Sequence, residues 1–493
     1  CSSGGAKGKE GVKKSFDKSK FGKGKFSKAK APMTPEERKK AKPHYKLVEG
    51  LKSDWNAVRC KSTAEEVRAG LLKKMVSQIQ THVLQVTLRH DASRIVQTVL
   101  QFGNAAQREA VLAALAPKTS EIAKTPYGHF AILKAITYCT KTPDQKKICL
   151  SLKGHFVSLG TNVIGSRTVE SILQLYPATL TRALKAEFYG KQFCILLPEP
   201  PRSLAVLVAE QPNKQAAIMD HMRDIVQRFV QKGLLEFAYV HNLLWEYIQQ
   251  AQIFLTQGQG HYMADLVAQL AEAAPKLLST KPGAKVICAV VTHAQAKDRK
   301  RIIKTLKGHV RESLCHDSAF LGILRIVDVT DDTVNVQKSF FDELRATSMS
   351  QQYTATGELI PIAEPPLIAI AKHRTGHKLL LRLLAPETRS LEPDEEVLFT
   401  NDGNTFKKSP ELRRREHQAY LRASLVHLCS GKYCEGLVRS RSGVKVLEGV
   451  MRVFRPPSLI AALACVYAGK PMPELEVVVE EEGGGDDDDD EEE

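Results

Sequence analysis

Between Leu71 and Val86 apolar residues return once per helical turn, at Leu71, Leu72, Met75, Ile79, Val83 and Val86, with Lys73, Lys74, Gln78 and Gln80 between them. A stripe of that period is one face of an amphipathic helix, which has to pack on a neighbour. The same period returns downstream, each time behind a turn of small residues: DASRIVQTVL at 91, TPYGHFAILKAI at 125, GSRTVESIL at 165, PGAKVICAVV at 282, RTGHKLLLRLL at 374 and SGVKVLEGVM at 442. Each segment places one planar or basic residue after the turn and then aliphatics at helical spacing. Arg94, His129 and Arg167 are 35 and 38 residues apart, and Lys285 and Ala319 are 34 apart.

A second register supports the repetition. Residues 146–155, KKICLSLKGH, align with 300–309, KRIIKTLKGH, at an offset of 154 with identical Leu-Lys-Gly-His endings. Hairpins of this length stack into superhelices, so the predicted fold is an all-α superhelical solenoid. The pattern fades from 175 to 280, where Pro198, Pro200, Pro201 and Pro212 interrupt it and Val240-His241-Asn242-Leu243-Leu244 reads as a degenerate copy. An insertion from about 386 to 410, with Pro386, Pro393 and Asn401-Asp402-Gly403-Asn404, reads as an exposed loop.

Composition sharpens the picture at the ends. Residues 1–33 are Lys, Gly, Ser and Phe with almost no aliphatics, a composition that cannot bury enough surface to offset ordering entropy, so a disordered basic arm is expected. Its Phe16, Phe21 and Phe26, five residues apart, read as incidental aromatics of a solvated tail, the alternative being rings for base stacking. Thr34-Pro35-Glu36-Glu37 has the form of a helix start. An acidic disordered segment is expected over 474–493, and the repeats between divide into an amino-terminal block (34–205), a divergent middle block (206–364) and a carboxy-terminal block (365–473). With the +10 of residues 1–50 and the −13 of the acidic segment set aside, the +16 of the whole chain becomes +19 on residues 51–473. The body is itself basic and calls for a polyanionic partner. No apolar run reaches the 18 or so residues that span a bilayer, so no membrane partner is expected. The 10 cysteines form no CxxC pair, and His427, Cys429 and Cys434 are too few to close a zinc site, so no metal or cofactor is expected.

The chemistry is expected on the repeat helices. Positions i and i+4 lie one turn apart on one face and can meet the edge of a splayed base, while a planar residue at i+1 can stack on it. Ser93, Arg94 and Gln97 have this arrangement, as do Ser166, Arg167 and Glu170. His129, Lys285 and His377 stand at matching places and complete the candidate base contacts. Lys297, Arg299, Lys300, Arg301, Lys304 and Lys307 carry one interleaved acid, Asp298, and with Lys146, Lys147 and Lys153 of the other copy they are candidate phosphate contacts. His155 and His309 follow a glycine at equivalent places, which predicts a shared turn role. No acid or nucleophile is spaced to orient either one, so no enzyme activity and no small-molecule substrate are expected.

S-R-x-x-Q and S-R-x-x-E at 35 to 38 residue spacing resemble Pumilio (Puf) repeats. The basic arm, KDRKRIIKTLKGH, RTGHKLLLRLLAP and ELRRRE after an Asp-Gly-Asn loop together resemble the nucleolar Puf-A-type proteins with a C-terminal CPL domain. That resemblance covers about residues 34–473. It implies that Ser with Gln reads adenine and Ser with Glu reads guanine. The remaining triplets, taken as Gly128/His129/Ile132, Ala284/Lys285/Cys288, Ser318/Ala319/Gly322, Gly376/His377/Leu380 and Gly443/Val444/Leu447, offer little that could hydrogen-bond a base edge. The resemblance therefore implies an RNA-binding scaffold of low sequence specificity, acting in the nucleus and nucleolus on precursor ribosomal RNA beside large-subunit proteins or assembly factors. The alternatives are a protein-binding helical solenoid and a sequence-specific translational regulator of messenger RNA.

Overall fold

The computed structural model describes Thr34 and residues 44–195, 197–345, 364–400 and 406–471. The arm with Phe16, Phe21 and Phe26, Pro35-Glu36-Glu37 of the helix start, Asn401-Asp402-Gly403-Asn404 and the acidic segment lie outside the described residues. Among the described residues every regular element is a helix and no strand occurs. The chain is all-α, as the apolar period predicts.

Two compact units divide at Leu71/Leu72. In the first, α1 (Tyr45–Arg59) buries Val48, Leu51 and Val58. Thr63 Oγ1 donates to Ala57 O at 2.7 Å and the Arg68 guanidinium donates to Cys60 O at 3.1 Å, which closes the turn between α1 and α2 (Glu65–Thr87). From the predicted stripe of α2, Leu72, Met75, Ile79 and Val86 are buried.

The second unit is a run of helical hairpins. Its principal helices are α3 (Ser93–Phe102), α4 (Ala105–Leu115), α5 (His129–Tyr138), α6 (Thr142–Leu152), α7 (Ser166–Leu175), α8 (Ala178–Ala186), α9 (Gln215–Gln231) and α10 (Ala238–Thr256). They continue as α11 (Lys281–His293), α12 (Ala296–Leu306), α13 (Phe320–Val329), α14 (His377–Leu384), α15 (Pro410–Ser430) and α16 (Arg441–Phe454). Helices α3, α5, α7, α10, α11, α13, α14 and α16 pack each on the next in an unbroken row. These are the helices behind the small-residue turns, and the degenerate copy at Val240 takes its place among them. A second layer begins with α4, α6 and α8, which also pack in order. The row holds because one face of every member is apolar: in α3, Ile95, Val96, Val99 and Leu100 are fully buried, each side chain contributing about 1.5–3 kcal/mol.

The LKGH repetition marks a turn that is stapled across repeats. Gly154 and Gly308 take φ of +83° and +85°, a left-handed conformation that glycine adopts without strain. Glu187, one repeat further on, accepts from Gly154 N at 2.6 Å and Phe156 N at 2.9 Å. Glu343 does the same for Gly308 N and Val310 N, both at 2.9 Å. His155 and His309 sit in these turns as exposed residues.

Half of the described residues of the insertion are exposed, Pro386 and Pro393 among them, as its prolines predict, but the segment is anchored to the array. Leu391, Glu395 and Phe399 are buried. Phe399 lies under the guanidinium groups of Arg382, at 4.1 Å, and Arg325, at 5.6 Å, and Phe406 lies under those of Arg299 and Arg413. Arg325 has no exposed surface; it donates to Thr292 Oγ1 at 2.8 Å, to Asp328 at 3.2 Å and to Thr400 O at 3.0 Å. A buried guanidinium demands such partners, and here the insertion provides one of them.

Candidate nucleic-acid interface

Six of the eight row helices, all but α3 and α10, are started by the same local device. Three residues before the last residue of the turn, a side-chain acceptor takes the backbone N–H that the helix leaves unpaired. Thr125 Oγ1 accepts from Gly128 N at 3.0 Å, Asn162 Oδ1 from Gly165 N at 2.9 Å and Thr280 Oγ1 from Gly283 N at 3.1 Å. His316 Nδ1 accepts from Ala319 N at 3.2 Å, His373 Nδ1 from Gly376 N at 3.4 Å and Ser440 Oγ from Gly443 N at 3.3 Å. The capped position is small because the preceding turn passes close by. A Cβ at Gly283 would stand 2.0 Å from Leu277 O, and one at Gly443 2.4 Å from Leu437 O.

This device sets the register of the triplets, and it corrects four of them, three by one residue and one by two. With Gly165 as the reference, Gly128, Ala319, Gly376 and Gly443 are turn residues, and the first base-facing position falls one later. The aligned triplets are Ser93/Arg94/Gln97, His129/Phe130/Leu133, Ser166/Arg167/Glu170, His241/Asn242/Trp245, Ala284/Lys285/Cys288, Phe320/Leu321/Leu324, His377/Lys378/Leu381 and Val444/Lys445/Glu448. The shift is one residue at Gly128, Gly376 and Gly443, so that Phe130 is the middle residue where His129 is expected, and two residues from Ser318 to Phe320.

The first position is structural in seven of the eight. Ser93, His129, Ser166, His241, Ala284, Phe320 and His377 are buried. Ser93 Oγ donates to Tyr127 O of the next turn at 2.8 Å and accepts from Gln97 Nε2 at 3.0 Å, so the serine hydroxyl expected to read a base is bonded within the protein and holds Gln97. Ser166 Oγ donates to Val163 O at 3.0 Å. His129 and His377 each place Nδ1 2.9 Å from the carbonyl four residues back, and burial pushes the His377 imidazole below its usual pKa. Glu170 caps the next row helix: its two carboxylate oxygens accept from Ala238 N at 3.1 Å and Tyr239 N at 3.0 Å.

The second position is different. Arg94, Phe130, Arg167 and Asn242 are exposed, and the positions continue through Lys285, Lys378 and Lys445, with a buried Leu321 between the first two of these lysines. Because equivalent residues of stacked helices come side by side, these side chains form a ladder of cations with one aromatic ring and one amide. Lys285 shows the adjacency, its Nζ lying 5.8 Å from the Trp245 ring of the preceding repeat. A sequence signal for Phe130, Lys378 and Lys445 exists: the residue two beyond a Gly that follows Thr, His or Ser by three; Asn242, behind Phe237 and Val240, carries no such signal.

The candidate phosphate contacts belong to the second layer, on α6 and α12, and are not brought together with the ladder. Lys146, Lys153, Lys297, Lys300, Lys304 and Lys307 are exposed. Lys147 pairs with Glu109, and Arg301 pairs with Glu272 at 2.6 Å and Asp298 at 3.4 Å. Arg299 is turned inward instead. It donates to Val291 O at 2.9 Å and Thr292 O at 3.1 Å over the Phe406 ring, and a phosphate contact would have to break both bonds. Cys429 and Cys434 are buried while His427 is exposed, and burial pushes the Cys429 thiol up to about 12.

No family model matches the chain. It is 28% identical over 369 residues to Pumilio homolog 24 of Arabidopsis thaliana, covering 74% of this chain and 53% of that protein. It is 28% identical over 380 residues to Pumilio homolog 3 of Homo sapiens (76% and 54%) and 26% identical over 404 residues to Pumilio homology domain family member 6 of Schizosaccharomyces pombe (80% and 59%). The chain thus spans about half the length of the curated relatives it matches. Human Puf-A crystallised with DNA superimposes with a TM-score of 0.74 at 25% identity, over 86% of this chain and 80% of that one, and human Puf-A alone with 0.73. An unbroken row of helices with the triplet position at the head of each, together with these likenesses along most of its length, makes this chain a Puf-A-like Pumilio-repeat protein.

Proposed function

We propose that the chain is an RNA-binding scaffold of low sequence specificity, which holds RNA along the ladder by its phosphates and by stacking. The observation that carries this reading is the contrast within the triplets. The residues that would read a base edge are buried or bonded within the protein, whereas Arg94, Phe130 and Arg167 are exposed. Cations without base-edge partners bind through counterion release, which every sequence offers equally. The +19 surplus on residues 51–473 supports the same reading, and the exposed lysines of α6 and α12 add to the attracting field. The matched structure of human Puf-A was determined with DNA, a nucleic-acid backbone of the same charge.

Reversing Arg94 and Arg167 to glutamate is expected to weaken binding to a poly-purine RNA, a structured precursor ribosomal RNA and a random pool alike. Each lost phosphate contact lowers the slope of log K against log salt by about 0.7 on single strands. A loss confined to one sequence would make the protein a sequence reader. The finer reading places the scaffold in the nucleolus on large-subunit precursors, with the lysine-rich residues 1–46 contributing to its address. An RNA-crosslinking footprint with clustered precursor-ribosomal sites is the expected result. Absence of RNA would favour a protein-binding solenoid, and a short shared motif in messenger RNAs a translational regulator.

A further inference from the structure

The ladder is open at one end and filled at the middle by the chain itself. Where Arg94 and Arg167 are exposed, Lys285 and Lys378 keep only 18% and 15% of their side-chain surface. The acidic turn Glu392-Pro393-Asp394-Glu395-Glu396 of the insertion lies on them. Asp394 Oδ2 stands 3.1 Å from Lys285 Nζ and 3.3 Å from Lys281 Nζ. Glu395 places one carboxylate oxygen 3.3 Å from Lys281 and the other 3.6 Å from Lys378, bridging two separate row helices. Glu395 is buried, and its carboxylate also accepts from Glu392 N at 3.2 Å. Phe399 and Thr400 pin the segment to Arg382 and Arg325 just beyond the turn.

These two carboxylates occupy cations of the ladder as phosphates would, with acceptor oxygens at hydrogen-bonding or ion-pair distance. We propose that the 392–396 turn is an internal phosphate mimic that closes the ladder at Lys285 and Lys378, with Lys281 held beside them, so that RNA engages the ladder from the Arg94 end and must displace the turn to extend along it. The inference rests on the reading of the ladder as an RNA track. It gives a role to an acidic turn set into a basic row, where it would otherwise only repel RNA.

The test is a fluorescence-anisotropy titration of the full chain with a labelled oligouridylate at several salt concentrations, comparing the wild type with Asp394→Asn/Glu395→Gln. Freeing three lysines is expected to tighten binding about tenfold at low salt and to steepen the salt slope by up to about 2, at about 0.7 per phosphate contact. Affinity and slope that stay unchanged, or that fall, would overturn the proposal. Glu395 is buried and its replacement can unfold the turn, so Asp394→Asn alone is measured beside it. The Asp394 side chain is 54% exposed, and its loss is expected to steepen the slope by about 0.7 without lowering the melting temperature. An unchanged slope in that single variant also overturns the proposal. The Arg94→Glu/Arg167→Glu variant in the same titration separates the two readings. If it binds like wild type, the ladder itself is not the RNA track and both readings fall; if it loses binding while the acidic-turn variants match wild type, only the mimic falls.

Discussion

Glu170 distinguishes a base reader from a structural cap more sharply than any other residue. By family resemblance it stands where a glutamate reads guanine, yet both its oxygens accept backbone N–H groups at the start of α10. Gln174 Nε2 donates to one of them as well, at 2.5 Å. Hydrogen bonds to a charged acceptor contribute about 1.5–3 kcal/mol each when buried, and less at a part-exposed site such as this one. A carboxylate at a helix N-terminus adds about 0.3–1 kcal/mol. Glu170→Ala, which strands both N–H groups, is therefore expected to cost about 3 kcal/mol. Glu170→Gln keeps one acceptor oxygen but turns an amide N–H₂ toward the second donor, for a cost of about 1–2 kcal/mol. A repeat array need not unfold in one step, so the local measurement is amide hydrogen exchange at Ala238 and Tyr239, followed by binding to RNAs differing only in adenine or guanine at each position. Faster exchange with unaltered base preference is expected. If Glu170→Gln leaves exchange as it was and moves preference from guanine to adenine at one position, the capping argument is wrong and the triplet reads RNA.

Three further outcomes are expected. Phe399→Ala removes the ring held between Arg325 and Arg382, which is expected to cost about 3 kcal/mol locally and to open residues 386–400 to limited proteolysis; an unchanged cleavage pattern would show that the insertion is held elsewhere. Burial holds His417 neutral, with its pKa pushed down to about 4, opposed by neighbouring Glu416 and reinforced by Arg413 and Lys408. The unfolded chain takes up this proton first, so stability present above pH about 6.5 is lost as pH falls toward about 4, up to about 3 kcal/mol; urea midpoints of His417→Phe should show a shallower acid loss than wild type, and parallel curves would refute the assignment. Gly50→Ala, in open space on α1, is expected to stabilise by up to about 1 kcal/mol, whereas Gly283→Ala is expected to destabilise by about 2–3 kcal/mol because its Cβ would meet Leu277 O; melting both variants checks the pair.

The class of the fold was legible in the sequence because it rests on local period. An apolar residue every turn from Leu72 to Val86, and again behind each small-residue turn, leaves the helix as the only element that gathers them on one face, and repetition at 34 to 38 residues requires stacking. The LKGH copies were legible as turns for the same reason, since a glycine at φ near +85° leaves its mark in the residue type. What those turns bind was not legible: Glu187 and Glu343 lie more than 30 residues beyond the N–H groups they cap. The register of the triplets slipped where the small residue was followed by His129, Phe320, His377 or Val444 rather than serine, because periodicity alone tolerates a shift of one or two residues on a helix and only the cap bond to Gly or Ala removes it. The anchoring of the insertion was not legible for a related reason. Prolines and an Asn-Asp-Gly-Asn stretch describe a backbone that leaves helix, which is a local property, whereas burial of Phe399 and Glu395 depends on Arg325, Arg382, Lys281 and Lys378, far away along the chain. Local periodicity settled which segments are helices and that they stack, while tertiary packing decided which of their polar side chains remain free to meet a ligand, because a hydrogen bond or ion pair is made by proximity in space, and proximity across repeats has no period that one segment can display.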